Sequence, residues 1–220
     1  MKGQITKTLP RNDWDKVVIH ENNDPLLELK ETERIKIGLV KKDYESLFFV
    51  RKTVAEKLQK VSLLLPAGIN LVIIEGYRTM QSQQHEWDSV FKKIKSNDES
   101  LTDEEVEVQA RLVVAKPSPL SNHHCGGAVD ISLIYDNGIL VDMGTNYISA
   151  SSIEDKIKFP MLSDKITEEQ KKNRKILRDV METENFVWYP GEWWHYCWGD
   201  RMWAVYTNQT ECYYGPIELE

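Results

Sequence analysis

A helix-period run, stopped by a proline–glycine turn and followed at once by a run of strand character, sets the strongest limit on how this chain folds. In LFFVRKTVAEKLQKVSLLLPAG, Leu47, Val50, Val54, Leu58, Val61 and Leu65 recur at steps of three or four, and Pro66 to Gly68 end the helix they predict. INLVIIE, Ile69 to Glu75, then reads as a buried strand. A second helix is expected from about Thr79 towards Ile94, with Trp87, Phe91 and Ile94 on one face. Thr102 and Glu105 have capping-box spacing, so SNDESLTDEEVEVQ reads either as a helix reaching about Val114 or as a solvated acidic loop. AVDISLIYDNGILVDMG has the form of a hairpin with a type I′ turn at Asn137–Gly138. A further helix starts behind Thr167 and Gln170, and FVWYP, WWHYCW and MWAVYT read as strands, the last two joined by a Gly199–Asp200 turn. Helices interleaved with hairpins predict an α+β domain around a mostly antiparallel sheet, spanning residues 1–220 with its motif-bearing core at about 47–207.

At 220 residues the chain can bury a core without staples. Its formal net charge of -7 argues against nucleic acid as a partner, because phosphate binding needs clustered Lys and Arg. Three cysteines, Cys125, Cys197 and Cys212, make a poor disulfide framework and suit a reducing compartment. The first twenty residues carry no apolar signal segment and no later run approaches a membrane span, so a cytoplasmic location is expected; a chain trimmed of an export signal, and so periplasmic, would read the same. Oligomeric state is not written in these features.

Chemistry concentrates in three places. SNHHCGGAVD offers Ser121, His123 and Asp130 around two glycines that let the backbone turn tightly. Alone it reads equally well as a polar turn with a satisfied histidine. PGEWWHYCWGD places Glu192 three residues before His195 in a tryptophan-rich strand, where Trp193, His195 and Cys197 would share a face. A core strand with an interfacial histidine is the simpler reading of that piece. EGYRT ends the buried strand with Arg78, placed either for a site at the sheet's end or for a surface ion pair.

Taken in order, GYR, then SxHxxGxAxD, then ExxH in a tryptophan-rich strand, the three pieces resemble the zinc D-alanyl-D-alanine dipeptidases of the VanX type. The likeness runs from about VRKTVAEKL to RMWAVYT. It implies one zinc ion held by His123, Asp130 and His195, with Glu192 as catalytic base and Arg78 as stabiliser of the transition state. Ser121 and Trp193 would contact a small D,D-dipeptide. The implied fold is the α+β fold shared with D,D-carboxypeptidases and with the hedgehog signalling domain. His124, Cys125 and Cys197 adjoin the implied ligands as lesser candidates. One departure stands out: where the family pattern approaches MGTxFD, this chain reads MGTNYIS, with Tyr147 for the aromatic and Ile148 for an acid thought to hold the substrate amino group. A slower D-alanyl-D-alanine dipeptidase is expected unless another carboxylate takes that place. A carboxypeptidase trimming longer cell-wall peptides, and a non-catalytic zinc-keeping binding module, are the rival readings.

Overall fold

The structure is a computed structural model describing residues 14–39, 44–112, 114–145 and 156–219. Its centre is a five-stranded sheet built from β3 (Ile35–Ile37), β5 (Ile69–Glu75), β6 (Ala128–Tyr135), β8 (His195–Cys197) and β7 (Val187–Trp188), in that spatial order. β3 runs parallel to β5 and every other neighbouring pair is antiparallel, as the sequence predicts. Two small pairs lie outside it: β1 (Val18–Ile19) with β9 (Glu211–Cys212), and β2 (Leu26–Glu28) with β4 (Phe49–Arg51).

Among the described residues, helices α1 (Lys52–Leu64), α2 (Met80–Asn97), α3 (Asp103–Ala110), α4 (Glu168–Thr183) and α5 (Arg201–Tyr206) accompany the strands. Val54, Leu58 and Val61 of α1 and Leu177 and Met181 of α4 form one apolar cluster with Leu71 and Ile73 of β5 and Val129, Ile131 and Leu133 of β6. Burying side chains of this size stabilises the fold by about 1.5–3 kcal/mol each. Leu71 and Ile73 of β5 and Val129, Ile131 and Leu133 of β6 thus face the core. Strand alternation turns Asp130 and Ser132 to the opposite face.

Several expectations need correction. The first helix starts at Lys52, because Phe49 to Arg51 pair with β2; Val50 is buried by that strand and coincides with the helical period by accident. The turn after β6 is not type I′. Asn137 does not have positive φ, Gly138 does (φ 84), and Gly138 N–H donates to the Tyr135 carbonyl, the pattern of a type I turn closed by a glycine bulge. The returning segment makes a single bridge, Ile134 to Leu140. MWAVYT is helix α5 rather than a strand: Asp200 Oδ1 accepts the Trp203 N–H at 2.8 Å and caps it, overriding the strand preference of Trp, Val and Tyr. The strand of WWHYCW shrinks to His195–Cys197, with Trp193 and Trp194 in the preceding turn. The capping boxes at Thr102–Glu105 and Thr167–Gln170 are both formed, the first opening a helix that ends at Ala110.

Candidate metal centre

A β-bulge aims the first group. The β5–β6 register runs Val72 to Ser132 and Ile73 to Ile131, then skips Ile74 so that Glu75 stands opposite Asp130. In the next pair Asp130 stands opposite His195. Three adjacent strands therefore set Glu75, Asp130 and His195 in a row on the face turned away from the main core.

His123 joins them from the loop before β6. Its Nδ1 lies 2.6 Å from the Gly76 carbonyl, which can only accept, so Nδ1 carries the proton and Nε2 presents a lone pair. The Arg78 N–H also donates to the His123 carbonyl, at 3.3 Å, locking the EGYR corner to the histidine loop. Two glycines make this approach possible. A Cβ on Gly76 would lie 2.4 Å from the Phe49 carbonyl oxygen, and Gly126 turns the loop at φ +72 where a Cβ would meet Leu26 at 2.5 Å.

The resulting triangle is tight. His123 Nε2 lies 3.2 Å from His195 Nδ1 and 3.4 Å from Asp130 Oδ1, and His195 Nδ1 lies 3.0 Å from the same oxygen. Tetrahedral coordination at about 2.0–2.1 Å separates neighbouring ligand atoms by roughly 3.3 Å. Two imidazoles and one carboxylate at that spacing fit a zinc-type ion, and all three side chains lie within the protein, two of them buried. Burial opposes ionisation of Asp130, yet His123 and His195 more than offset it and hold its carboxyl well below the usual range.

Arg78 closes one side. Its Nε and Nη2 engage Glu75, its Nη1 donates to Glu86 Oε2 at 2.8 Å, and its Nη2 reaches to 3.8 Å from Asp130 Oδ2. Burial works against its charge, but Glu75 and Glu86 outweigh burial and keep the guanidinium protonated. The Tyr44 hydroxyl donates to Glu75 Oε2 at 3.2 Å. The sequence expectations give neither Glu75 nor Glu86 a role in the site, although an acid ending an otherwise apolar strand is a visible signal for Glu75.

Glu192 lies half-buried in the turn leading to β8, its amide donating to the Tyr189 carbonyl. Burial pushes its carboxyl up to about 7, with His195 and Arg78 pulling it down and Asp130 and Glu86 pushing it up. A carboxyl raised from an ordinary 4.5 favours the fold while protonated, and that contribution is lost as pH rises through about 7. Metal-free Glu192→Gln is therefore expected to melt above the parent at pH 8 and level with it near pH 4.5; equal melting at both pH values would refute the assignment.

The remaining candidates separate. Ser121 is half-buried in the histidine loop. Trp193 is buried in the main core, its indole N–H donated to Thr145 Oγ1 at 2.9 Å and its ring 5.6 Å from the Arg174 guanidinium. His124 turns away from the triangle to Tyr77 and Glu218. Cys125 donates its thiol to the Asn122 carbonyl. Cys197 touches the other ring nitrogen of His195 at 3.3 Å. Tyr147 and Ile148 lie outside the described residues.

A mixed sheet thus presents two histidines and a carboxylate that could hold a metal ion, with an acid and a fixed arginine nearby. The chain belongs to the peptidase M15 family, whose profile, described as D-ala-D-ala dipeptidase, matches residues 35–215, and it is a metallopeptidase. It is similar to a D-alanyl-D-alanine dipeptidase of Synechocystis, 29% identical over 238 aligned positions that cover 96% of this chain and 95% of that protein. A dipeptidase of the same name from Enterococcus faecalis is 27% identical, with 66% of this chain and 70% of that one covered. Among solved structures, an LdcB LD-carboxypeptidase aligns at a TM-score of 0.47 and 20% identity, covering 91% of this chain and 77% of that one. A VanY D,D-pentapeptidase in complex with Zn(II) aligns at a TM-score of 0.45 and 18% identity, covering 90% and 96%.

Proposed function

We propose that the chain is a zinc-dependent dipeptidase that cleaves D-alanyl-D-alanine into two D-alanines, in the metabolism of cell-wall peptidoglycan. The observation that carries this reading is the His123–Asp130–His195 triangle, flanked by Glu192 and Arg78. The names of its curated relatives support the substrate. A zinc ion held there supplies Lewis acidity, lowering the pKa of a water and polarising the scissile carbonyl. Glu192, whose carboxylate interacts with His195 and Arg78, takes the proton of the attacking water and returns it to the leaving amine. Arg78, fixed by Glu75 and Glu86, sets positive charge beside the oxygen on which negative charge develops.

Charge also favours a substrate with a free amino group. When ionised, Asp130, Glu75, Glu86 and Glu192 oppose one guanidinium, and a divalent ion still leaves the site one charge negative. Glu86 is the most accessible of the two acids paired with Arg78, at 27% side-chain exposure against 1% for Glu75. In this reading Glu86 receives the substrate ammonium where Ile148 cannot, and Glu86→Gln is expected to raise KM more than it lowers kcat. A KM equal to the parent's would assign the ammonium to another group.

Steady-state assays on D-alanyl-D-alanine, L-alanyl-D-alanine, L-alanyl-L-alanine and a muropeptide ending in D-alanyl-D-alanine test the substrate. The D,D-dipeptide is expected to have the highest kcat/KM. Faster turnover of the muropeptide would make the chain a carboxypeptidase instead.

A further inference from the structure

Behind His195, on the side away from the triangle, lies a group of buried polar atoms that the reaction does not use. Cys197 Sγ stands 3.3 Å from His195 Nε2 and 3.3 Å from Asn122 Nδ2. The same Asn122 amide donates to Asp200 Oδ2 at 2.6 Å, which identifies it as nitrogen because a carboxylate only accepts. Cys197 and Asp200 are both buried, and the Asn122 amide bridges them. Asp200 is held in turn by the Trp203 N–H at the start of α5.

The Asn122 amide nitrogen can only donate to the sulfur. Nδ1 of His195 faces Asp130 and His123, so as a metal ligand it offers its lone pair and the imidazole proton sits on Nε2. The sulfur, 3.3 Å from Nε2, is then the acceptor for that proton. The helix cap at Asp200 is thus linked through Asn122 and a thiol to the proposed metal ligand. A carboxylate or carbonyl more often accepts the outer N–H of such a histidine.

We propose that Cys197 is the positioning residue of the metal ligand His195, accepting its Nε2–H while Asn122, anchored on the Asp200 carboxylate, holds the sulfur in place. The inference rests on the metal-ligand reading of His195. It adds that the sulfur, two residues along the same strand face, sets both the tautomer and the ring orientation of that ligand. The structural alternative is a small core side chain, and Cys197 does sit in an apolar cluster with Ala128, Val187 and Met202. That role alone would be filled equally well by alanine.

Zinc affinity, measured by chelator competition on the full chain, separates the two. Cys197→Ala removes the acceptor and is expected to weaken zinc about 10–100-fold, the usual cost of losing an outer partner of a metal-bound histidine. Cys197→Ser keeps an acceptor at that position and is expected to recover most of the affinity, although serine suits an apolar cluster less well than alanine. Asp200→Asn keeps a good helix cap but puts a donor where Oδ2 accepts from Asn122, so it should loosen the amide that holds the sulfur and weaken zinc in the same direction with α5 intact. Metal-free melting curves of the three variants confirm that each is folded. Zinc affinity within twofold of the parent in Cys197→Ala, or no gain from alanine to serine, would overturn the proposal. A parent chain that binds zinc no better than His195→Ala would instead overturn the metal-ligand reading, and this inference with it.

Discussion

Glu192→Gln is expected to lower kcat on D-alanyl-D-alanine by about 10²–10⁴-fold, the usual contribution of general acid–base catalysis, with zinc content unchanged. The amide keeps the shape of the side chain and cannot take a proton from water. Glu192 also stands outside the triangle of candidate ligand atoms, so its loss leaves the three proposed metal ligands in place. The fall should appear in kcat and kcat/KM alike, because the group acts in the transition state rather than in holding the dipeptide. The same substitution is expected to stabilise the metal-free fold above pH 7, where the parent holds a carboxylate in a site that disfavours its charge. A variant that turns over at the parent rate would remove Glu192 from the mechanism.

His195→Ala carries the second large effect. It deletes one of the three proposed ligands and leaves His123 and Asp130, 3.4 Å apart, as an incomplete pair. Zinc content should fall far below one per chain at micromolar metal, and dipeptide hydrolysis should fall with it. Folding should persist, since His195 is only partly buried and Tyr196 and Cys197 continue to anchor β8. Full retention of zinc would remove His195 from the ligand set. Such a result would leave the adjacent tyrosine and tryptophan side chains as the sole reason for this strand.

Much of this site was legible because ligand chemistry needs particular residue types at short spacing. SNHHCGGAVD and PGEWWHYCWGD carry them openly, and the structure brings His123, Asp130 and His195 together across two strands and a loop. The row of Glu75, Asp130 and His195 was not legible, because it depends on a one-residue bulge. Counting alternate residues along INLVIIE would have set Ile74 opposite Asp130. The role of Gly76 was hidden for a similar reason: its need for a bare Cα comes from Phe49, far away in sequence. Helix α5 was missed where side-chain preference and capping disagree. Trp203, Val205 and Tyr206 favour a strand, while the Asp200 side chain caps the first turn of a helix. The strands before Leu47 were unassigned because β1, β2 and β3 are two or three residues long, too short for a period to register. No helix among the described residues is long and apolar enough to cross a membrane, in line with the hydropathy of the sequence.

The most direct test of the central claim is release of D-alanine from D-alanyl-D-alanine by the full chain, with zinc counted in the same sample. One zinc per chain and hydrolysis that a chelator abolishes and added zinc restores are the expected results. A chain that holds one zinc and releases no D-alanine would contradict the account.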